Sequence, residues 1–187
     1  MRLAPIVLAG LAAALGLWLW APWDSEEGPQ ESPGPERVEQ PSADQLRGSA
    51  CRELAGVAAD LAMREPPPAA FLRGFGLRVA GIRPPPRAFD DLARGGRDLI
   101  PGRGFRRRFD DGTSGQARHF AGVAVAVSLG GGEAARRISI IGRGDPPDSA
   151  DGRLTEEAIR FSEELLRGTL APVEAPRWLL KRLCRRA

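Results

Sequence analysis

The chain of 187 residues has no tyrosine, one histidine, one lysine and two cysteines. A single histidine excludes metal sites that need two imidazoles, such as the His-Glu-x-x-His type. Aromatic residues make up only 6% of the chain, so an apolar core must rely on Leu, Ala, Val and Ile with a few Phe. Arginine supplies 26 of the 27 basic side chains, which is typical of a GC-rich coding background.

Charge is distributed unevenly along the chain. Residues 24–50 carry seven acidic side chains and two basic ones, whereas residues 51–187 carry 24 basic and 17 acidic ones. A basic body favours approach to anionic polymers or lipid through long-range attraction. The chain contains no nucleic-acid-binding motif and no cofactor fingerprint, so we expect neither nucleic acid nor a cofactor.

The longest apolar run, residues 3–20, contains no charged side chain. As a helix it would span about 27 Å, close to the thickness of a bilayer core. Tryptophans cluster at its C-terminal end, where interfacial aromatics usually lie. Because Arg2 precedes the run and acidic residues follow it, we predict a cytoplasmic N-terminus and an extracytoplasmic body.

The sequence therefore predicts three parts. Residues 1–23 are a transmembrane anchor that makes the chain a single-pass protein of the cell membrane, with its body periplasmic or extracellular. A cleaved signal peptide is the alternative, but Trp20, Pro22 and Trp23 make a poor cleavage site. Residues 24–43 are an acidic, Pro-rich linker, and residues 44–187 are an extracytoplasmic helical domain.

Cys51 and Cys184 lie near the two ends of this domain. Outside the cytoplasm, two cysteines so far apart favour a single disulfide that closes the domain. The alternative is two unrelated buried thiols.

Apolar periodicity predicts a mainly α fold, a single small helical bundle of about four or five helices. Helices are predicted over 43–65 (with Ser42 as N-cap), 88–95, 153–168 and 175–185. Residues 71–82 fit either a short helix or a strand, and residues 133–152 are predicted to be a loop. For residues 113–129 we prefer a tightly packed central helix to a strand, with Thr113 or Ser114 as its cap and Gly130–Gly132 as its end.

The candidate catalytic residues are His119, Arg118 and Asp151. A hydrolase would use His119 as a base with nearby carboxylates, but no serine lies in a nucleophile-elbow context. The alternative is a structural role, in which His119 anchors the central helix and the three residues form an ion-pair network. The hydrolase requires His119 and an acid to face solvent within hydrogen-bond reach, and a histidine sealed in the core would exclude it.

Asp145, Asp148 and Asp151 recur at every third position of one loop. Such a loop could bind a hard cation, but the spacing does not match an EF-hand. We therefore predict no metal site and keep the three aspartates only as weak candidates. In the alternative interpretation Asp151 caps the following helix and the other two are solvated.

The segment around Pro101-Gly102-x-Gly104-Phe105-Arg106 and Gln116-x-Arg118-His119-Phe120 resembles an uncharacterised bacterial family. Further matching positions are Asp148, Asp151, Gly168, Leu170, Pro172 and Cys184. The resemblance covers less than half of the chain and implies a shared fold but no activity.

We therefore expect a membrane-tethered domain of the cell envelope with an interaction or structural role, and an envelope hydrolase is the alternative. The expected partners are the membrane, through the N-terminal helix, and other envelope proteins or anionic polymers.

Overall fold

The computed structural model describes residues 49–186, which form a small, mainly α-helical domain. The α-helices in this part of the chain are α1 (Ala50–Ala62), α2 (Pro68–Ala80), α3 (Arg87–Ala93), α4 (Gln116–Arg137), α5 (Ala150–Leu166) and α6 (Ala175–Arg182). Instead of a strand, these residues contain one isolated antiparallel bridge, between Phe105 and Cys184. The predicted helical bundle is confirmed, with six helices rather than four or five.

The predicted anchor 1–23, the linker 24–43 and the predicted cap Ser42 lie outside the described residues. Within residues 49–186, every helix is too short or too polar to cross a bilayer.

Helix α1 begins at Ala50 because Ser49 is extended and its Oγ accepts a hydrogen bond from the backbone N–H of Arg52, at 3.1 Å. The segment that fitted a helix or a strand is helix α2. It carries Pro68 in its first turn, where no N–H is needed, and ends at Gly81, whose φ of 62° closes the helix.

Helix α4 is the central helix, as predicted for 113–129, but its ends differ from the prediction. It begins after Gly115 without a side-chain cap, so neither Thr113 nor Ser114 caps it. Gly131 adopts φ 81° and ψ 169° and breaks the helical backbone, yet helical turns resume beyond it. The ion pairs of Glu133 with Arg136 and Arg137, at 3.0 and 2.9 Å, link side chains on this second stretch.

The loop predicted over 133–152 is wrong for its first half. After α4 the chain forms a π-helical segment, Ile138–Arg143, and only residues 144–149 connect it to α5. The prediction that Asp151 caps α5 is also wrong. Ser149 is the cap, and its Oγ accepts from the backbone N–H of Gly152 at 2.9 Å, so the Asp151 side chain is not needed there.

The core lies where α4 packs between α2 and α5. Phe161 of α5 is its centre, with ring centroids 6.1 Å from Phe75, 5.4 Å from Phe120 and 5.1 Å from Trp178. Helices α2 and α4 approach closely at Gly76, since a Cβ there would collide with Cγ2 of Val125.

The Cys51–Cys184 disulfide is confirmed, with 5.5 Å between the Cα atoms and a separation of 133 positions along the chain. It joins α1 to the end of the described chain. Backbone hydrogen bonds hold the same region, from Arg106 to Leu183 and from Arg185 to Gly104, each at 2.8 Å. The disulfide and these two backbone hydrogen bonds therefore hold the C-terminal segment in place.

Candidate functional site

A polar cavity of about 280 Å³ lies at the N-terminal ends of α4 and α5. It is lined by Asp98, Asp111, Thr113, Ser114, Gly115, Arg118, His119, Arg143 and Asp151. The three residues predicted as catalytic, His119, Arg118 and Asp151, therefore share one cavity. Helix α4 supplies the first two and the first turn of α5 supplies the third.

His119 is held by a chain of hydrogen bonds behind the cavity wall. Its ring is only 5% exposed, and Nε2 lies 2.8 Å from Oγ1 of Thr155. That hydroxyl lies 2.9 Å from Oγ of Ser139, which in turn lies 2.9 Å from Oδ2 of Asp145. The chain of four side chains connects α4, α5 and the π-helical segment.

The direction of each hydrogen bond in this row of side chains indicates which ring nitrogen of His119 carries the proton. The single hydroxyl proton of Ser139 is donated to Oδ2 of Asp145. Thr155 must then donate to Ser139, and the proton shared between Thr155 and His119 must come from Nε2–H. In the neutral ring Nδ1 consequently carries a lone pair.

Nδ1 has no side-chain hydrogen-bond partner within residues 49–186; Oδ2 of Asp151 lies 3.9 Å away, and a hydrogen bond between the ring and the Asp151 backbone raises the pKa of His119. The 3.9 Å between the two side chains is too long for a hydrogen bond, so His119 and Asp151 do not form a direct acid–base pair. Burial is the largest influence on the pKa of His119 and lowers it; Arg143 acts in the same direction, and Asp151 opposes it. Burial also raises the pKa of the Asp151 carboxyl above its usual value.

The acidic loop divides into two kinds of aspartate. Asp145 and Asp151 each place a carboxylate oxygen near the His119 ring, with the three donor atoms within 4.8 Å of one another. Asp148 is exposed and lies outside this group; its backbone carbonyl accepts from Arg153. Of the three weak metal candidates, the fold thus brings two to His119 and leaves one in solvent.

The lining of the cavity also contains polar atoms without hydrogen-bond partners in the described chain. Oδ1 of Asp98 and Nε of Arg118 are buried and make no hydrogen bond within residues 49–186. Asp111, by contrast, accepts from the backbone and hydroxyl of Thr113 and from Gln116. Burial alone raises the pKa of Asp111, but these hydrogen bonds outweigh it and hold the pKa below its usual value.

Sequence reasoning missed Ser139 and Thr155. Thr155 lies four residues after Asp151, so a helix that starts at Ser149 places both on one face. That signal was hidden because the predicted helix began at residue 153. Ser139 has no local signal, since its role depends on the helical path of a segment predicted to be a loop.

A second, more apolar cavity of about 660 Å³ lies against α3, α4 and the π-helical segment, and Arg143 lines both cavities. Phe89 and Ile138, on the wall of this second cavity, are 62% and 57% exposed. Phe89 and Ile138 therefore expose apolar surface beside this cavity.

No family model, no curated protein and no solved structure matches the chain. The fold and the disulfide define its class: a small, mainly α-helical domain closed by one disulfide. The resemblance to the uncharacterised bacterial family stays a prediction.

We expect the imidazole of His119 to carry its proton on Nε2 at pH 7.5. Because His119 is the only histidine, a long-range ¹H–¹⁵N correlation spectrum of the untagged chain reports it without assignment. Thr155→Val removes the acceptor of Nε2–H and should abolish the preference. A proton found on Nδ1 in the unsubstituted chain would contradict the hydrogen-bond chain.

The stability of the domain should depend on this buried ring. The folded-state pKa of His119 is lowered below 6.5, so on acidification the unfolded chain binds the proton first. The free energy of unfolding attributable to His119 is therefore level above about pH 7.5 and falls as the pH drops through about 6.5. Chemical unfolding of the chain and of His119→Gln between pH 5 and 8 tests this, because the variant should lack that part of the slope.

Proposed function

We propose that the chain is a membrane-tethered extracytoplasmic domain of the cell envelope with an interaction or structural role. The observation that carries the proposal is the Cys51–Cys184 disulfide, because such bonds persist mainly in oxidising compartments outside the cytoplasm. The charge asymmetry around the apolar segment 3–20 supports the same orientation. The exposed Phe89 and Ile138 favour interaction over a purely structural role.

The test is expression of the full-length chain in a bacterial host, with protease added to intact spheroplasts. We expect the chain in the membrane fraction at full-length mass, with its body degraded and its cysteines alkylated only after reduction. A matched variant that lacks residues 2–23 should be soluble, protected and reduced.

Two results would contradict the proposal in different ways. A full-length chain whose body is protected in intact spheroplasts would refute export. A mature chain shortened by about the length of the apolar segment would refute the anchor and establish a cleaved signal peptide.

The second candidate is an envelope hydrolase in which His119 acts as a general base. The specific observation in its favour is that His119 lines a polar cavity together with Arg118 and Asp151. Against it, the requirement that His119 and an acid face solvent within hydrogen-bond reach is not met, because the ring is almost completely buried and the 3.9 Å to Asp151 exceeds that reach. The role therefore requires substrate or water to reach Nδ1 through the cavity.

Chromogenic esters, phosphoesters and glycosides test this candidate. If His119 is the base, His119→Gln should lower turnover by about 10²–10⁴-fold while Asp148→Asn leaves it unchanged. Absence of turnover with all three classes, or equal turnover in both variants, would leave only the interaction or structural role.

A further inference from the structure

We propose that His119, Asp145 and Asp151 form a binding site for one divalent transition-metal ion. The three side chains come from α4, from the turn before α5 and from the first turn of α5. Their donor atoms lie within 4.8 Å of one another, and Nδ1 of His119 lies 3.9 Å from Oδ2 of Asp151. The sequence did not suggest this set of metal ligands, because it considered the three aspartates of the acidic loop as ligands without His119.

The environment of His119 is an independent observation that points to a cation. The ring is 5% exposed, its Nε2 is occupied by Thr155, and its Nδ1 lies 3.9 Å from a carboxylate oxygen of Asp151. A nitrogen lone pair and an ionised carboxylate at this distance repel unless a proton or a cation lies between them. A metal ion on Nδ1 removes the repulsion and binds both groups.

The hydrogen bonds behind the ring match those that metal-bound histidines make. A ligating imidazole almost always donates its other N–H to an acceptor, which sets the tautomer and the ring orientation. Here Nε2–H donates to Thr155, and the chain continues through Ser139 to Asp145. One hydrogen-bond chain therefore positions two of the three proposed ligands.

The donor atoms must move closer together to bind a transition-metal ion. Zinc binds imidazole nitrogen and carboxylate oxygen at about 2.0–2.2 Å in a tetrahedral arrangement, so two of its ligands lie about 3.4 Å apart. The 3.9 Å between His119 and Asp151 must therefore shorten by about half an ångström, and a separation of 4.8 Å by about 1.4 Å. One nitrogen and two oxygens suit Zn²⁺ or Mn²⁺ better than Ca²⁺ or Mg²⁺, which prefer oxygen ligands alone.

The charges around the three ligands favour a cation. Asp98 and Asp111 line the same cavity, as do Arg118 and Arg143. With the two aspartate ligands, this makes four carboxylates that lie near two guanidinium groups. The surroundings of the site remain negative, although Arg143 opposes the ion.

Calorimetric titration with Zn²⁺ tests the proposal on the full-length chain in mild detergent, without a polyhistidine tag. Both cysteines are in the disulfide, so no thiol competes for zinc. We expect one ion per chain, with affinity lowered at least tenfold in Asp145→Asn and Asp151→Asn. Asp148→Asn is the matched control, since it removes an equal charge from the same loop and should bind as the unsubstituted chain does. Ca²⁺ should bind at least tenfold more weakly than Zn²⁺.

A second measurement does not depend on whether the variants fold. Mn²⁺ is paramagnetic, and substoichiometric Mn²⁺ should broaden the single imidazole signal of His119 in the unsubstituted chain before other side-chain signals. Each of four results would overturn the proposal. They are the absence of zinc binding, an equal loss of zinc affinity in Asp148→Asn and Asp151→Asn, an affinity for Ca²⁺ equal to that for Zn²⁺, and a His119 signal that Mn²⁺ does not broaden. The fractionation experiment has no bearing on these outcomes, so the site and the membrane tether stand or fall separately.

Discussion

Replacing Cys51 and Cys184 together with alanine should lower the free energy of unfolding by about 4–5 kcal/mol. The disulfide links cysteines that are 133 positions apart, and its main effect in the chain-entropy model is to restrict the unfolded chain. Both cysteines are also buried, so the substitution removes packing between α1 and the C-terminal segment. Chemical unfolding of the full-length chain in mild detergent, followed by circular dichroism, measures the loss.

The unsubstituted chain in reducing agent is the control for this prediction. Its free energy of unfolding should fall by a similar amount, because reduction removes the same covalent constraint without substituting a residue. A double variant that loses less than about 1 kcal/mol would mean that the backbone hydrogen bonds at Gly104 and Arg106 hold the segment without the disulfide.

Phe161→Ala should lower the free energy of unfolding by about 3–5 kcal/mol. Phe161 is completely buried and its ring lies against Phe75, Phe120 and Trp178, so truncation leaves a cavity where α2, α4, α5 and α6 meet. The surrounding helices are held by the disulfide and by close contacts such as Gly76 against Val125, which limits collapse into the cavity.

Phe89→Ala is the matched control, since it removes the same ring from a site that is 62% exposed. Its effect should stay within about 0.5 kcal/mol. The same unfolding measurement compares the two variants. Equal losses would show that the aromatic cluster around Phe161 is not the centre of the core.

The helices with a strong 3.6-residue apolar pattern could be predicted from the sequence, because burial of one face is a local property of spacing. Helix α5, with Leu154, Ala158, Phe161 and Leu165 buried on one stripe, is the clearest example. Helix boundaries were harder, since they depend on which side chain bonds the first free N–H groups. Ser149 and Asp151 are both suitable caps by type, and only the backbone path selects Ser149.

Local glycine content misled the prediction beyond α4. Three consecutive glycines predict the end of a helix, but Gly131 alone takes the non-helical conformation. Gly132 packs against Ile159 of α5, with 2.8 Å from a Cβ placed there to Cγ2 of Ile159. The helical turns after Gly131 are disfavoured by the low helix propensity of glycine. They occur together with packing against α5 and with the ion pairs of Glu133 and Arg136.

The candidate site, too, could be predicted only in part from the sequence. His119 and Arg118 stood out because the chain has one histidine and places an arginine beside it, and Asp151 because it lies in an acidic loop. The roles of Thr155 and Ser139, and the separation of Asp145 from Asp148, could not be predicted, because they depend on contacts between residues up to 36 positions apart.

The sequence alone determined the helical class, the only possible disulfide partners and the residues around which a site could form, because these follow from periodicity, from having only two cysteines and from having only one histidine. The tertiary structure alone decided the formation of the disulfide, the path after Gly131, the cap of α5 and the hydrogen-bond chain behind His119. Each of these depends on groups brought together by packing, and neighbours in space are not encoded by spacing along the chain.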